Sequence, residues 1–289
     1  MENKLVDNPD SLDQPKIGPL PVVFLLIDSW GVGQNHPGNV FFELKLKNFS
    51  TLVKKYPIAL LSDHGSTKAE RYKAMGGNGL LTKTLAEAGL TQLHITESEK
   101  VIDTWFHFNG ERDVKLAKES LQVISSEVGD RQDNPKQVAT KITDLALSAI
   151  KKDKANVLFV SLANLDLVTA TGNLEAAKEA AKILDKNIGR LVSTVLKNKG
   201  LLIISSAYGR AESMINMATE LPNLEISDNP VPFLIVSAEY EGKTIGLSDP
   251  LNSDLSLLAT AGKLDDITPT ILDILNLKIP DGLKGESLI

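Results

Sequence analysis

The stretch "LLIISSAYGRAESM", from Leu201 to Met214, joins a strongly apolar run to a glycine turn and a polar continuation. Such a run is typical of a strand covered on both faces, and an α/β protein usually carries its reactive groups just after such a strand. Here that place holds Ala207 and Tyr208, neither of which is an ordinary metal ligand. The stretch therefore predicts an α/β fold in which a usual site position carries unusual residues.

Four other apolar runs have the same character, and amphipathic segments lie between them. The runs are "VVFLLI" (22–27), "IALLS" (58–62), "NVLFVSL" (156–162) and "PFLIVS" (232–237). Residues 173–198 place apolar side chains at spacings of three and four, which predicts a helix with one buried stripe. Less regular helical patterns cover 43–55, 80–88, 135–152 and 266–276. The alternation predicts a three-layer α/β fold with a mainly parallel central sheet in a single domain, 19–289.

Two segments are expected to depart from this plan. The first 18 residues are polar and acidic, so we expect a flexible tail without a signal peptide. Residues 94–110 include "DTWFHF", whose polar and apolar residues alternate, and this predicts an antiparallel pair at one edge of the sheet.

Composition narrows the class of function. The net charge of −6 argues against nucleic-acid binding, and no apolar run is long enough to cross a membrane. The chain has no cysteine, which removes disulfides and thiolate chemistry and fits a cytoplasmic protein. The sequence indicates neither an oligomeric state nor the identity of a partner.

Four segments carry a more specific pattern: "PVVFLLIDSWGVG" (21–33), "AEAGLTQLHITESEKVIDTWFHFNG" (86–110), "NLDLVTATGNLEAAKEAAKILDKNIGRLV" (164–192) and "DDITPTILDILNLKIPDGLKGESLI" (265–289). In order and content they resemble the cofactor-independent (2,3-bisphosphoglycerate-independent) phosphoglycerate mutases of the alkaline phosphatase superfamily. The resemblance implies that superfamily's fold. For active relatives it implies two divalent metals, Mn²⁺ or Zn²⁺, beside a transiently phosphorylated serine.

Carried onto this chain, the implied site is mostly lost. Its aspartates remain at Asp28, although Ser29 replaces the following glycine, and at Asp166. Other ligand positions now hold Ala170, Ala207, Tyr208 and Ile226, and "AMGGNGLLT" places Asn78 at or next to the serine position. Lys100 matches a further active-site group of the family. The chain also lacks room for the substrate-holding domain that the family inserts after the serine motif.

Asp28 and Asp166 without a metal would repel each other, so we expect Lys100 or Arg210, or both, to neutralise them. The simplest interpretation of the two aspartates is that they cap turns at strand ends. We expect His36, His94 and His107 to be surface or packing residues. The glycines of "WGVGQNHPG" and "MGGNG" are typical of turns, although such glycines also cradle phosphates.

Three functions stay open at this point. The first is a pseudoenzyme that has lost metals and nucleophile, has no cofactor, and acts as a binding or regulatory protein. The second is a remodelled phosphohydrolase or phosphotransferase, using Mn²⁺ or Zn²⁺ held by Asp28, Asp63, His64 and Asp166. The third is a sensor that binds a small phosphorylated ligand through Lys100 and Arg210. An open pocket at the last two residues would favour the sensor over a filled interior.

Overall fold

The computed structural model describes residues 17–62, 67–126, 135–246 and 254–289. Over these residues, eight strands form one sheet: β1 (Val22–Leu26), β2 (Ile58–Ser62), β3 (Gln92–Glu97), β4 (Glu119–Ile124), β5 (Val157–Ser161), β6 (Leu201–Ser205), β7 (Val231–Val236) and β8 (Thr260–Lys263). Their order across the sheet is β4-β3-β5-β1-β6-β7-β2-β8. Only β7 runs antiparallel to its neighbours, which confirms the predicted mainly parallel sheet.

Helices cover both faces of this sheet. One face packs against α1 (Lys47–Lys55), α4 (Pro135–Lys151), α5 (Asn164–Thr169) and α6 (Leu174–Lys197). The other packs against α2 (Lys68–Met75), α3 (Leu80–Glu87) and α7 (Ile267–Ile274). Alternate side chains of β1 enter the two cores, Val23 and Leu25 on one side and Phe24 on the other. Burial on both faces explains why the central strands show continuous apolar runs rather than alternation.

All five apolar runs form strands, and the longest predicted helix forms as α6. Asn173 caps α6 by accepting a hydrogen bond from the Ala176 backbone N–H, and Ala177, Leu184 and Leu191 lie in its buried stripe. The first predicted helix is shorter than expected, because residues 43–46 precede the start of α1 at Lys47. The predictions missed the helices α2 and α5 and the strands β4 and β8.

The predicted antiparallel edge pair in residues 94–110 is wrong. The strand β3 lies inside the sheet, parallel to both β4 and β5. The "DTWFHF" segment instead forms a wide helical turn over Ile102–His107, in which the Phe108 N–H donates to the Asp103 carbonyl. Helical spacing brings Trp105 and Asn109 to the same side of this turn, and both donate to a carboxylate oxygen of Glu119. Residues four apart lie about 5–6 Å from each other in a helical turn but about 13 Å apart in a strand, so the turn lets both donors reach one oxygen of Glu119.

Glu119 lies at the middle of a largely buried polar cluster. We call it the Glu119 centre; its members are Glu119, His94, Trp105, Asn109 and Arg112. Arg112 and the Leu116 N–H donate to its second oxygen, at 3.0 and 2.8 Å. The ring of His94 stacks on Phe159 at 4.4 Å, with Nε2 3.4 Å from Oε1 of Glu119. Burial lowers the pKa of His94 to about 4, although Glu119 opposes the shift. His94 is therefore a neutral packing residue.

The structure covers only the last two residues of the predicted N-terminal tail. Residues 1–16 of the predicted tail lie outside the described residues, while the Gly18 N–H already donates to the Leu275 carbonyl beside α7. Between α2 and β3 the described chain passes through a short 3₁₀ turn, Gly77–Gly79, and α3. Within the described ranges, no helix is both long enough and apolar enough to cross a membrane.

Candidate functional site

Three adjacent parallel strands bring the retained aspartates together. The strands β5, β1 and β6 are neighbours in the sheet, so the segments that follow them meet at one edge. Asp28 follows β1, Asp166 lies in the first turn of α5 after β5, and Tyr208 follows β6. Because the carboxyl ends of parallel strands form the usual crevice of an α/β fold, this edge is the candidate site.

Lys100 lies at the middle of this edge. It ends the short turn Ser98–Lys100 that follows β3, and its Nζ is 3.1 Å from Oδ2 of Asp28 and 3.2 Å from Oδ2 of Asp166. The same Nζ is 2.9 Å from Oδ2 of Asp103 and 3.2 Å from the Tyr208 hydroxyl. One ammonium thus contacts three carboxylates and one phenol.

Arg210 neutralises Asp166 from the other side. Its Nη1 donates to Oδ1 of Asp166 at 2.9 Å and to the Asp166 carbonyl at 3.3 Å. These contacts agree with the prediction that Lys100 or Arg210, or both, face the two aspartates: Lys100 contacts both carboxylates and Arg210 contacts Asp166. We call the group formed by Asp28, Tyr72, Lys100, Asp103, Asp166, Tyr208 and Arg210 the lysine centre.

Ser29, which replaces the family's glycine, has a structural role in this centre. Its backbone is left-handed, with φ of 68°, a conformation that favours glycine. The serine hydroxyl donates to Oδ1 of Asp166 at 2.7 Å and accepts from the Thr169 hydroxyl at 3.2 Å. The side chain thus gains hydrogen bonds that offset its unfavourable backbone.

Asp28 has its own set of donors. The Tyr72 hydroxyl on α2 donates to Oδ2, and the Ala207 N–H lies 3.4 Å from Oδ1. The Tyr72 and Tyr208 rings meet edge to face at 6.5 Å. Both rings are fully buried and fill the space beside the carboxylate with apolar surface.

The pKa directions follow from burial and from this placement of charges. Burial raises the pKa of Asp28, and Lys100 only partly opposes it. Burial acts the same way on Asp166, but Lys100, Arg210 and Lys68 outweigh it and hold the pKa of Asp166 below its usual range. Burial would lower the pKa of Lys100, yet the surrounding phenols and carboxylates hold it well above its usual value. Lys100 is therefore a permanent cation.

Lys68 lies at the border of the centre. It opens α2, and its Nζ is 4.7 Å from the centroid of the Tyr208 ring. Burial, together with the cations Lys100 and Arg210, lowers the pKa of Lys68, although Asp166 opposes this. The first turn of α2, rather than the glycine-rich segment at its end, therefore faces the aspartates.

The positions where the resemblance implies lost ligands have different surroundings, and two of them, Ala207 and Tyr208, border Asp28 and Lys100. Ala207 and Tyr208 have joined the core, Ile226 packs partly buried against it, and Ala170 is exposed at the end of α5. Asn78 is exposed in a left-handed turn and lines a surface cleft with Lys73 and Lys284, away from the lysine centre. Asp63 and His64 lie outside the described residues.

The glycines after Asp28 serve a carboxylate rather than a phosphate. The Gly31 N–H donates to Oε2 of the buried Glu212 at 3.0 Å, and a Cβ on Gly31 would lie 2.4 Å from that carboxyl group. The close approach requires glycine, so "WGVG" forms a turn packed on Glu212. This agrees with the turn interpretation of these glycines and leaves no donor at Gly31 for a phosphate.

The donor set of the lysine centre does not fit the metals that the resemblance implies. Mn²⁺ or Zn²⁺ sites of that kind combine carboxylates with imidazoles, and here an ammonium lies between the two aspartates instead. Over the described ranges, no group of three or more His, Asp or Glu side chains is arranged to hold a metal ion.

The sequence did not reveal several members of the centre. The sequence did not predict that Tyr72, Lys68 and Asp103 lie here. It also did not predict the hydrogen bond between the hydroxyls of Ser29 and Thr169. Two spacings would have helped: Lys68 and Tyr72 are four apart on one helix, and Lys100 and Asp103 are three apart in a helical turn. The missed α2 explains the loss of the first pair.

Comparisons with known proteins agree with this architecture. A family model described as the Metalloenzyme superfamily matches residues 20–279. The 2,3-bisphosphoglycerate-independent phosphoglycerate mutase of Clostridioides difficile (strain 630) is 33% identical over 248 residues, which are 84% of this chain and 44% of the relative. The mutase of Gracilaria tenuistipitata var. liui is 34% identical over 275 residues, 89% of this chain and 51% of the relative. The chain thus spans about half the length of these relatives.

Solved structures share the fold at low sequence identity. Leishmania mexicana phosphoglycerate mutase superposes with a TM-score of 0.61 at 22% identity, covering 71% of this chain and 38% of that one. The alkaline phosphatase of the Antarctic bacterium TAB5 gives 0.59 at 12% identity, covering 91% and 100%. The chain therefore belongs to the metalloenzyme superfamily, with the alkaline-phosphatase-like fold and a relationship to the 2,3-bisphosphoglycerate-independent phosphoglycerate mutases.

Proposed function

We propose that this protein is a pseudoenzyme of the metalloenzyme superfamily, acting as a cytoplasmic binding or regulatory protein. The observation that carries the proposal is the closure of the site. Asp28 is 1% exposed, Lys100 3%, Arg210 5% and Tyr208 0%, so the retained aspartates face a filled interior. Phosphoryl transfer requires that a substrate phosphate reach its catalytic groups, and these side chains leave no such access.

The arrangement of cations also supports this function. Nζ of Lys100 and Nη1 of Arg210 contact Asp28, Asp103 and Asp166, and these three carboxylates offset the positive charge that a phosphorylated ligand would need. The sensor hypothesis requires an open pocket lined by both cations, so it is less favoured than a partner that binds elsewhere on the surface. The absence of cysteine fits the proposed compartment.

The test combines metal content with turnover. Purified protein is incubated with Mn²⁺ and Zn²⁺, desalted and measured by elemental mass spectrometry beside an Asp28→Ala, Asp166→Ala double variant. The same samples are assayed with 3-phosphoglycerate and with p-nitrophenyl phosphate. We expect no retained metal and no turnover in either protein.

Metal near one or two ions per chain, lost in the double variant and accompanied by phosphatase activity, would overturn the proposal. Asp63→Ala and His64→Ala variants would then show whether those side chains belong to a remodelled phosphohydrolase site. Turnover that persists in the Asp28→Ala, Asp166→Ala variant would indicate a contaminating phosphatase.

A further inference from the structure

Four oxygen atoms from distant segments surround the ammonium of Lys100. They are Oδ2 of Asp103 at 2.9 Å, Oδ2 of Asp28 at 3.1 Å, Oδ2 of Asp166 at 3.2 Å and the hydroxyl of Tyr208 at 3.2 Å. Metal–oxygen bonds to Mg²⁺ or Ca²⁺ are about 2.0–2.6 Å long, so this shell is sized for an ammonium. The side chains point at one position, and a cation already occupies it.

The outer contacts hold these oxygens in place. Asp166 is fixed through its other oxygen by Arg210 at 2.9 Å and Ser29 at 2.7 Å, and Asp28 receives the Tyr72 hydroxyl. Three carboxylates share Lys100, so removal of its charge would leave them repelling one another in a buried space. The shell therefore requires a cation at its centre.

We propose that the ammonium of Lys100 is the resident cation of this protein: it takes the place of a divalent metal between Asp28 and Asp166, and its removal exposes a site for a hard divalent cation. This inference rests on the proposed function, because it explains how the aspartates persist without a metal. The donor set contains only oxygen, which suits Mn²⁺, Ca²⁺ or Mg²⁺ better than Zn²⁺. The Asp103 side chain is 24% exposed, so it is the most exposed of the three carboxylates around Lys100.

The test is a gain of metal binding. Wild type, Lys100→Ala and Lys100→Gln are titrated with Mn²⁺ by electron paramagnetic resonance, and their thermal unfolding is followed with and without Mn²⁺. We expect wild type to bind no Mn²⁺ saturably. Lys100→Ala should change from no saturable binding to one bound Mn²⁺ per chain, and excess Ca²⁺ should displace that ion.

Two control variants show whether the ion occupies the vacated position. Lys100→Ala with Asp166→Asn should lose the gained binding, and Lys73→Ala, a lysine of α2 paired with Glu111 at the surface, should gain none. Lys100→Gln retains most of the side-chain volume and is the second variant should Lys100→Ala fold poorly. In that case Mn²⁺, or n-propylammonium as a soluble substitute for the lost side chain, should restore the cooperative unfolding transition.

Two results would overturn the inference. One is Mn²⁺ affinity in both Lys100 variants no higher than in wild type, with no restoration of folding. The other is gained affinity that survives Asp166→Asn. Either failure leaves the pseudoenzyme proposal standing, whereas saturable Mn²⁺ binding by wild type through Asp28 and Asp166 would overturn the pseudoenzyme proposal.

Discussion

The lysine centre and the Glu119 centre bury carboxylates in two different ways. In the lysine centre, Asp28 and Asp166 are neutralised by full charges, Lys100 and Arg210, which come from distant parts of the chain. In the Glu119 centre, most donors are neutral and all four lie within residues 105–116, close to Glu119 in sequence. A local turn can thus solvate one carboxylate, whereas two adjacent carboxylates need charges that only the complete fold supplies.

The largest expected effect comes from removing the central charge. Lys100→Met should lower the free energy of unfolding by about 3–5 kcal/mol, because a buried ion pair loses one partner and the other charge remains. Urea unfolding in metal-free buffer measures this change. Lys73→Met, which removes a partly exposed pair with Glu111, should cost less than about 1 kcal/mol. Equal losses in the two variants would contradict the special role of Lys100.

The next effect concerns the Glu119 centre and depends on pH. The pKa of His94 is about 4 in the folded protein against an ordinary value of 6.5, so the unfolded chain binds more protons between these values. Stability should therefore fall as pH falls from 6.5 to 4, by about 3 kcal/mol in total. The lowered pKa of Asp166 acts at more acid pH, whereas the raised pKa of Asp28 acts above pH 3.8 with the opposite sign, so the His94 slope has to be isolated with a variant.

Urea unfolding at several pH values, with His94→Leu as the control, measures this dependence. The variant should lose most of the slope between pH 4 and 6.5 while it keeps the loss at lower pH. A slope in His94→Leu equal to that of wild type would assign the dependence to other groups and would remove this contrast between the two centres.

The smallest expected effect comes from the phenol that completes the lysine centre. Tyr72→Phe removes the hydroxyl that donates to Asp28 and should cost about 1.5–3 kcal/mol, the usual range for a hydrogen bond to a charged group. A double-mutant cycle with Asp28→Asn separates this contact from the packing of the ring. A coupling energy near zero would show that Lys100 alone satisfies Asp28.

The sequence predicted the layered fold well because burial on both faces leaves continuous apolar runs, as in β1 and β6. It also predicted that Lys100 and Arg210 meet the aspartates, since like charges left alone at a strand edge require compensation. It failed at "DTWFHF", where the side-chain donors of Trp105 and Asn109, rather than alternation, decide the conformation. Tyr72 was missed because its short helix has no strong apolar stripe.

The position of β1 in the sheet has a consequence for the order of folding. The strand is synthesised early, yet it pairs with β5 on one side and β6 on the other, so Val22–Leu26 has no sheet partner until residue 157 or later emerges. A contact of such long sequence separation forms slowly, and the unpaired strand is open to wrong associations meanwhile. During translation this apolar segment therefore stays without its sheet partners until the residues of β5 have left the ribosome.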